Sequence, residues 1–168
     1  MRRVILLALL AAVLAPAASS LAQDEAAPSR RPGWWELQMV ISGPTSEPTR
    51  QTRRMCTDAA FDKIDSPLGV NMRGNGCAPL STSRTATGWT TWGACDTGQM
   101  KIRANGVVNG DLNDRYHADI VVEMDPPPDP KAAKVLIAID ARWLGECPAG
   151  RKPGDVETDG EGPTPRAP

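Results

Sequence analysis

The chain contains one histidine, so any chemistry that needs an imidazole must run through His117. Asp119 lies two positions on, and residues i and i+2 of an extended strand share a face. A histidine and the carboxylate that orients it are two of the three parts of a Ser-His-Asp hydrolase. The third part has no signal, because no Gly-x-Ser-x-Gly elbow presents a nucleophile. A hydrolase using His117 with a nearby carboxylate is therefore the alternative reading, and no residue is assigned a catalytic role. Asn109, Asp111, Asn113 and Asp114 gather oxygen atoms as calcium loops do. They lack the central glycine and distal glutamate of an EF-hand and read as the polar tip of a hairpin. Paired-carboxylate hydrolysis has many candidate acids here, and spacing singles out none of them. No motif points to a cofactor or a metal.

Cysteine and tryptophan carry more information. Cys56, Cys77, Cys95 and Cys147 include no closely spaced pair of the kind structural zinc sites use. An even number in an exported chain implies disulfides. Trp34, Trp35, Trp89, Trp92 and Trp143 outnumber the single Tyr and single Phe. Trp35 and Trp143 sit in rows of alternating apolar residues and read as core. Trp34, Trp89 and Trp92 form a candidate binding surface. An exposed aromatic strip would take a small apolar molecule, a glycan or a partner protein.

The elements that position these residues are strands. Proline cannot donate to a β ladder, and none of the 16 prolines falls between Leu80 and Asp125 or between Lys131 and Cys147. Those stretches alternate with period two. Met100, Ile102 and Ala104 form one row; Tyr116, Ala118, Ile120, Val122 and Met124 form another. Val135, Ile137, Ile139, Ala141 and Trp143 continue the pattern, as do Trp35, Leu37, Met39 and Ile41 near the start. One wet face and one buried face is an antiparallel arrangement. Asn109-Gly110 predicts a hairpin turn, with Asn105-Gly106 as a bulge. Thr57 predicts the cap of a short helix over Asp58 to Ile64. Arg50, Arg53 and Arg54 read as a solvated loop. A hairpin turning near Ala86 places Cys77 opposite Cys95, leaving Cys56 to pair with Cys147.

The ends differ from the middle. Arg2 and Arg3 precede an apolar run from Val4 to Leu14, and Ser20-Leu21-Ala22 offers a cleavage site. This is a signal-peptide pattern over 1–22; the run is shorter than the roughly 20 residues a membrane span needs. Residues 23–31 read as a flexible linker, 32–148 as the folded domain, and 149–168 as a disordered tail. Net charge is −1 and grows more negative once Arg2 and Arg3 are removed, which argues against a nucleic-acid partner.

Several landmarks occur in a characteristic order. Pro32-Gly33-Trp34-Trp35-Glu36 comes first, then Cys56-Thr57, Cys77, Trp92, Cys95 and Gly110-Asp111. Arg142-Trp143-Leu144-Gly145-Glu146-Cys147 closes the series. Together they resemble the family called domain of unknown function 3617, small exported proteins of Gram-negative bacteria. Glu146 stands where that family usually shows Asp. The resemblance implies a β-rich fold and periplasmic placement, and supplies no catalytic residue.

The expected fold is mainly β: a single antiparallel sheet of about six strands, curved or partly closed, with one short helix and two disulfides. The expected role is a non-catalytic binding or interaction module of the cell envelope. Its partner would be an envelope protein or a small apolar or glycan ligand, and the processed chain would not span the membrane. Mass spectrometry of the protein from the envelope fraction should find Gln23 at the N-terminus; an intact Met1 form in the membrane would overturn the export reading.

Overall fold

A computed structural model describes residues 28–44, 47–68, 72, 74–159 and 161–164. The predicted signal segment, most of the linker and the last four residues lie outside them. The described strands are β1 (Gly33–Ser42), β2 (Thr49–Thr57), β3 (Ser81–Arg84), β4 (Gly88–Asp96) and β5 (Lys101–Gly110). They continue with β6 (Arg115–Asp125), β7 (Lys134–Gly145), β8 (Val156–Thr158) and β9 (Glu161–Thr164). All pair antiparallel in one nine-stranded sheet, ordered β3-β4-β5-β6-β7-β1-β2-β8-β9. The sheet is open rather than closed, and it has more strands than the six expected. Two of the additional strands come from sequence read as a disordered tail.

Alternation decides which face is buried. Trp35, Leu37, Met55, Trp89, Ala104, Val108, Tyr116, Ala118, Ile120, Ile139 and Ala141 point to one side and form the core. The chain after β2 roofs that side with Leu68, fully buried, and with Phe61, Met72 and Leu80. The helix within the roof, α1 (Ala59–Asp62), is shorter than expected. Its cap is Asp58, whose Oδ1 accepts from the Phe61 N–H at 2.7 Å. Thr57 is instead the last residue of β2, its hydroxyl donating to the Gly33 carbonyl.

Other expectations also shift. The β5–β6 hairpin turns at 111–114, with Gly110 opposite Tyr116. Asn109-Gly110 ends β5, and Asn105-Gly106 pairs in regular register without a bulge. Asp111 sets the turn by accepting from the Asn113 and Asp114 N–H groups at 2.8 and 3.1 Å. Leu112 takes φ 59° and drops into the core. Arg50, Arg53 and Arg54 lie within β2, not in a loop.

Cys56 is bridged to Cys147 and Cys77 to Cys95, with Cα separations of 5.5 and 3.9 Å. The loops close over 91 and 18 positions, which the chain-entropy model values at about 4–5 and about 3 kcal/mol. The first bridge explains why the chain beyond Cys147 is ordered. Held at β2, it turns back so that the Cys56 N–H donates to Asp155 at 3.0 Å and Gly154 donates to Cys56 at 2.8 Å. β8 then pairs with Arg53 to Met55.

The upstream segment is equally anchored where the linker was expected. Arg30 is 2% exposed and Asp62 5%. The Arg30 Nε and Nη2 donate to Asp62 Oδ1 at 2.9 and 2.7 Å, and its backbone N–H donates to Oδ2. Arg31 stacks 3.6 Å from the centre of the Trp143 ring. Removing one partner of a buried pair leaves an uncompensated charge. Asp62→Ala should therefore cost about 3–5 kcal/mol in urea unfolding. A loss within about 0.5 kcal/mol, ordinary for surface positions, would show that the pair does not anchor the roof.

Candidate functional site

The opposite, outer face of the sheet carries the ionisable groups. Glu36 lies there on β1, directly between Arg54 of β2 and Arg142 of β7 in the strand register. It is only 3% exposed. Arg54 Nε donates to Oε2 at 2.8 Å; Arg142 donates to Oε1 through Nε at 2.9 Å and approaches it through Nη2 at 2.7 Å. Burial pushes the Glu36 carboxyl up, but the hydrogen bonds from Arg142 and Arg54 outweigh it and hold it below the usual carboxylate range.

The next cross-strand row is Gln38 on β1, Asp140 on β7, His117 on β6 and Asn109 on β5. His117 Nδ1 sits 2.8 Å from Asp140 Oδ1, and Nε2 sits 3.2 Å from Asp119 Oδ2. The hydrogen bond to Asp140 raises the imidazole pKa above 6.5; partial burial works against it, and Asp119 adds to the rise. Arg115, opposite Arg142, completes the group. All of these except Arg54 and Asp119 line a depression of about 660 Å³.

This geometry bears on both chemical readings. His117 and Asp119 share a face and touch, as their spacing predicts. Asp140, which alternation placed on the wet face without singling it out, is the closer partner. A general base needs an unprotonated nitrogen free to meet its substrate. Here a carboxylate occupies each nitrogen, an arrangement that favours the imidazolium. The described lining contains no serine, threonine, cysteine or lysine to act as nucleophile. The Asn109–Asp114 oxygen cluster is a turn, with the Asp111 carboxylate spent on its own backbone and the Asn109 Oδ1 accepting from Thr87 at 2.7 Å. No group of three or more His, Cys, Asp or Glu suited to a metal occurs among the described residues.

The tryptophans do not form a strip. Trp89 is 8% exposed and belongs to the core. Trp34 has the outer-face parity expected of it but is also 8% exposed. The chain returning from Cys147 covers it, with Arg151 at 5.8 Å from its ring. Trp92 is 43% exposed, beside a groove of about 350 Å³ lined by Ser81, Ser83, Thr90, Asn105 and Val107. It lies on β4, separated from Trp34 on β1 by three intervening strands. Trp35 is fully buried, whereas Trp143, its cross-strand partner, is only partly so.

Sequence reasoning missed Glu36, Gln38, Arg115, Asp140 and Arg142 as one site. Glu36 and Arg142 stood inside the two most specific motifs, yet nothing local says that those motifs pair. The pairing also explains Gly33. Its φ is +139°, and a Cβ there would collide with the Gly145 carbonyl and the Trp143 indole nitrogen.

Fold and site define a disulfide-bridged, open antiparallel sheet with one roofed face and one ionic face. The chain belongs to the family described as protein of unknown function (DUF3617), whose model matches residues 30–147. The match runs from the buried Arg30 to the bridged Cys147. No curated protein and no solved structure matches the chain.

His117 gives the site a clean observable. Its folded pKa is raised, so its contribution to stability is fully present below 6.5 and lost as pH rises through the folded value. The ring is exposed enough that this contribution is small, within about 1 kcal/mol. NMR titration of the single imidazole should give a pKa above 6.5. Asp140→Asn should lower it more than Asp119→Asn; an unshifted wild-type value would refute the paired geometry.

Proposed function

We propose that this protein is a non-catalytic binding module of the bacterial envelope that uses the outer face of its sheet. The observation that carries the reading is the depression between β5 and β1. Its lining carries mostly polar side chains and no serine, threonine, cysteine or lysine. The two disulfides suit an oxidising compartment such as the periplasm, and the basic-apolar-small pattern of residues 1–22 supports export. No helix among the described residues is long and apolar enough to cross a membrane. The reading no longer rests on an aromatic strip, since Trp34 and Trp89 are buried; Trp92 remains as a separate exposed aromatic.

One observation favours the hydrolase alternative: the 2.8 Å His117–Asp140 contact is the base-orienter half of a catalytic pair. His117→Ala separates the readings, because an enzyme built on His117 would lose a measurable turnover, while a binding module has none to lose.

Gln38 is exposed and lines the depression, and tryptophan is well tolerated in strands. Gln38→Trp should fill the space without unfolding the sheet. Native mass spectrometry after incubation with envelope extract should show an adduct on the wild type that Gln38→Trp loses at an unchanged thermal midpoint. Equal retention by both proteins would sink the proposal.

A further inference from the structure

We infer that the depression holds a phosphate-type oxyanion between the guanidinium groups of Arg115 and Arg142. The inference rests on the binding reading above and names the ligand chemistry. Arg115 and Arg142 are direct partners in the β6–β7 register, on the same outer face. Like charges directly opposite one another destabilise an antiparallel pair, and the carboxylates beside them are shared with other cations or stand 4.0 Å off. Glu36 is one anion shared by two cations, Arg54 and Arg142. Asp140 is engaged by His117. The carboxylate nearest Arg115 is Asp114, 4.0 Å from Nε, and the Arg115 side chain is 85% exposed.

The unspent polar atoms point the same way. Arg142 uses Nε and Nη2 on Glu36, leaving Nη1. Asn109 accepts at Oδ1 from Thr87, leaving its amide N–H groups. Gln38 directs its amide nitrogen to Glu36 at 3.5 Å. The Arg115 guanidinium makes no hydrogen bond among the described residues. The Arg115 guanidinium, the Arg142 Nη1 and the Asn109 amide thus carry N–H groups that no described protein acceptor takes. A group with several acceptor oxygens and negative charge satisfies them, and arginine binds such groups through paired, charge-assisted hydrogen bonds. The buried Glu36 fixes Arg142 from below, so that half of the clamp is preformed.

The same phosphate could belong to a soluble phosphate ester or to a phospholipid headgroup. Calorimetric titration of the processed protein with inorganic phosphate and with sulfate at low ionic strength should show saturable binding that weakens as salt is added. Arg115→Gln, at an exposed position, should weaken it about tenfold or more without lowering the thermal midpoint. Arg103→Gln, also on the outer face but outside the depression, should leave it unchanged. Flotation with phosphatidylglycerol vesicles, lost in Arg115→Gln and absent with phosphatidylcholine, would assign a headgroup; phosphate binding without flotation would assign a soluble ester. The inference is overturned if neither anion binds, or if Arg115→Gln binds as well as the wild type. Should the anions fail while Gln38→Trp still abolishes the extract adduct, only the oxyanion is wrong and the binding module stands. If the anions bind but the adduct survives Gln38→Trp, the envelope ligand lies elsewhere and the general reading falls instead.

Discussion

The β1–β7 seam is the constraint on which the molecule depends. The β3 to β7 meander and the β1–β2 hairpin are each built from neighbours in sequence, and only this seam makes them one sheet. Its register sets Glu36 against Arg142, Trp35 against Trp143 and Trp34 against Gly145. The hydrogen bond from Arg142 to Glu36 spans 106 positions of chain. Contacts of that range carry a large loop-closure cost, so the seam needs compensation. It comes from the Trp35 core, from a desolvated carboxylate with two cationic partners, and from the Cys56–Cys147 bridge at the end of the same ladder. Gly33 allows the approach because no Cβ fits between the strands there.

The seam also decides which surface is left for a ligand. The inner face is closed by the roof after β2, itself held by Arg30 and Asp62. At the β2 end the outer face is closed as well, because the Cys56–Cys147 bridge returns the chain across Trp34. What stays open is the outer face from β3 to β1, polar and ionic around His117 and more apolar around Trp92 and Val107. A side chain's parity therefore does not settle its exposure in this fold: Trp34 and Trp92 both have outer parity, and only Trp92 meets solvent.

Much of this was legible in the sequence. Alternation marked the long strands and the inward row that begins at Trp35 and Leu37, both buried, and continues less buried to Ile41, because a half-buried strand must alternate. The hairpin symmetry about Ala86 was enough to pair the cysteines. Local rules failed where a distant contact or a competing local one won. Asn109-Gly110 is a strong turn signal, yet Asp111 ties its side chain to two backbone N–H groups and places the turn at 111–114 instead. Residues 149–159 are poor in large apolar side chains, and composition alone reads them as disordered; a covalent bridge and backbone pairing to β2 order them instead. Arg30 looked like linker because a buried arginine is recognisable only from its partner, 32 positions away. The site was the least legible part. Glu36, Asp140, Arg115 and Arg142 come from three strands, and their association is a property of register rather than of motif.

Glu36 joins the two themes, because the carboxylate that pins the seam also holds Arg142 for a ligand. Its pKa is depressed, so its stabilising contribution is present above the ordinary carboxylate value and lost as pH falls through the folded one. An arginine held on a buried carboxylate loses less side-chain entropy when a ligand arrives than a free one does. The arrangement has an electrostatic cost: Arg54, Arg142 and Arg115 form a row across three strands with a single buried anion among them. An anion bound over Arg115 and Arg142 would relieve that repulsion at the seam itself. By linkage, a ligand that binds only the folded chain stabilises it as its concentration exceeds Kd. Recognition on this face and cohesion of the sheet are then two consequences of one ion cluster, which is why neither can be altered at Glu36 without altering the other.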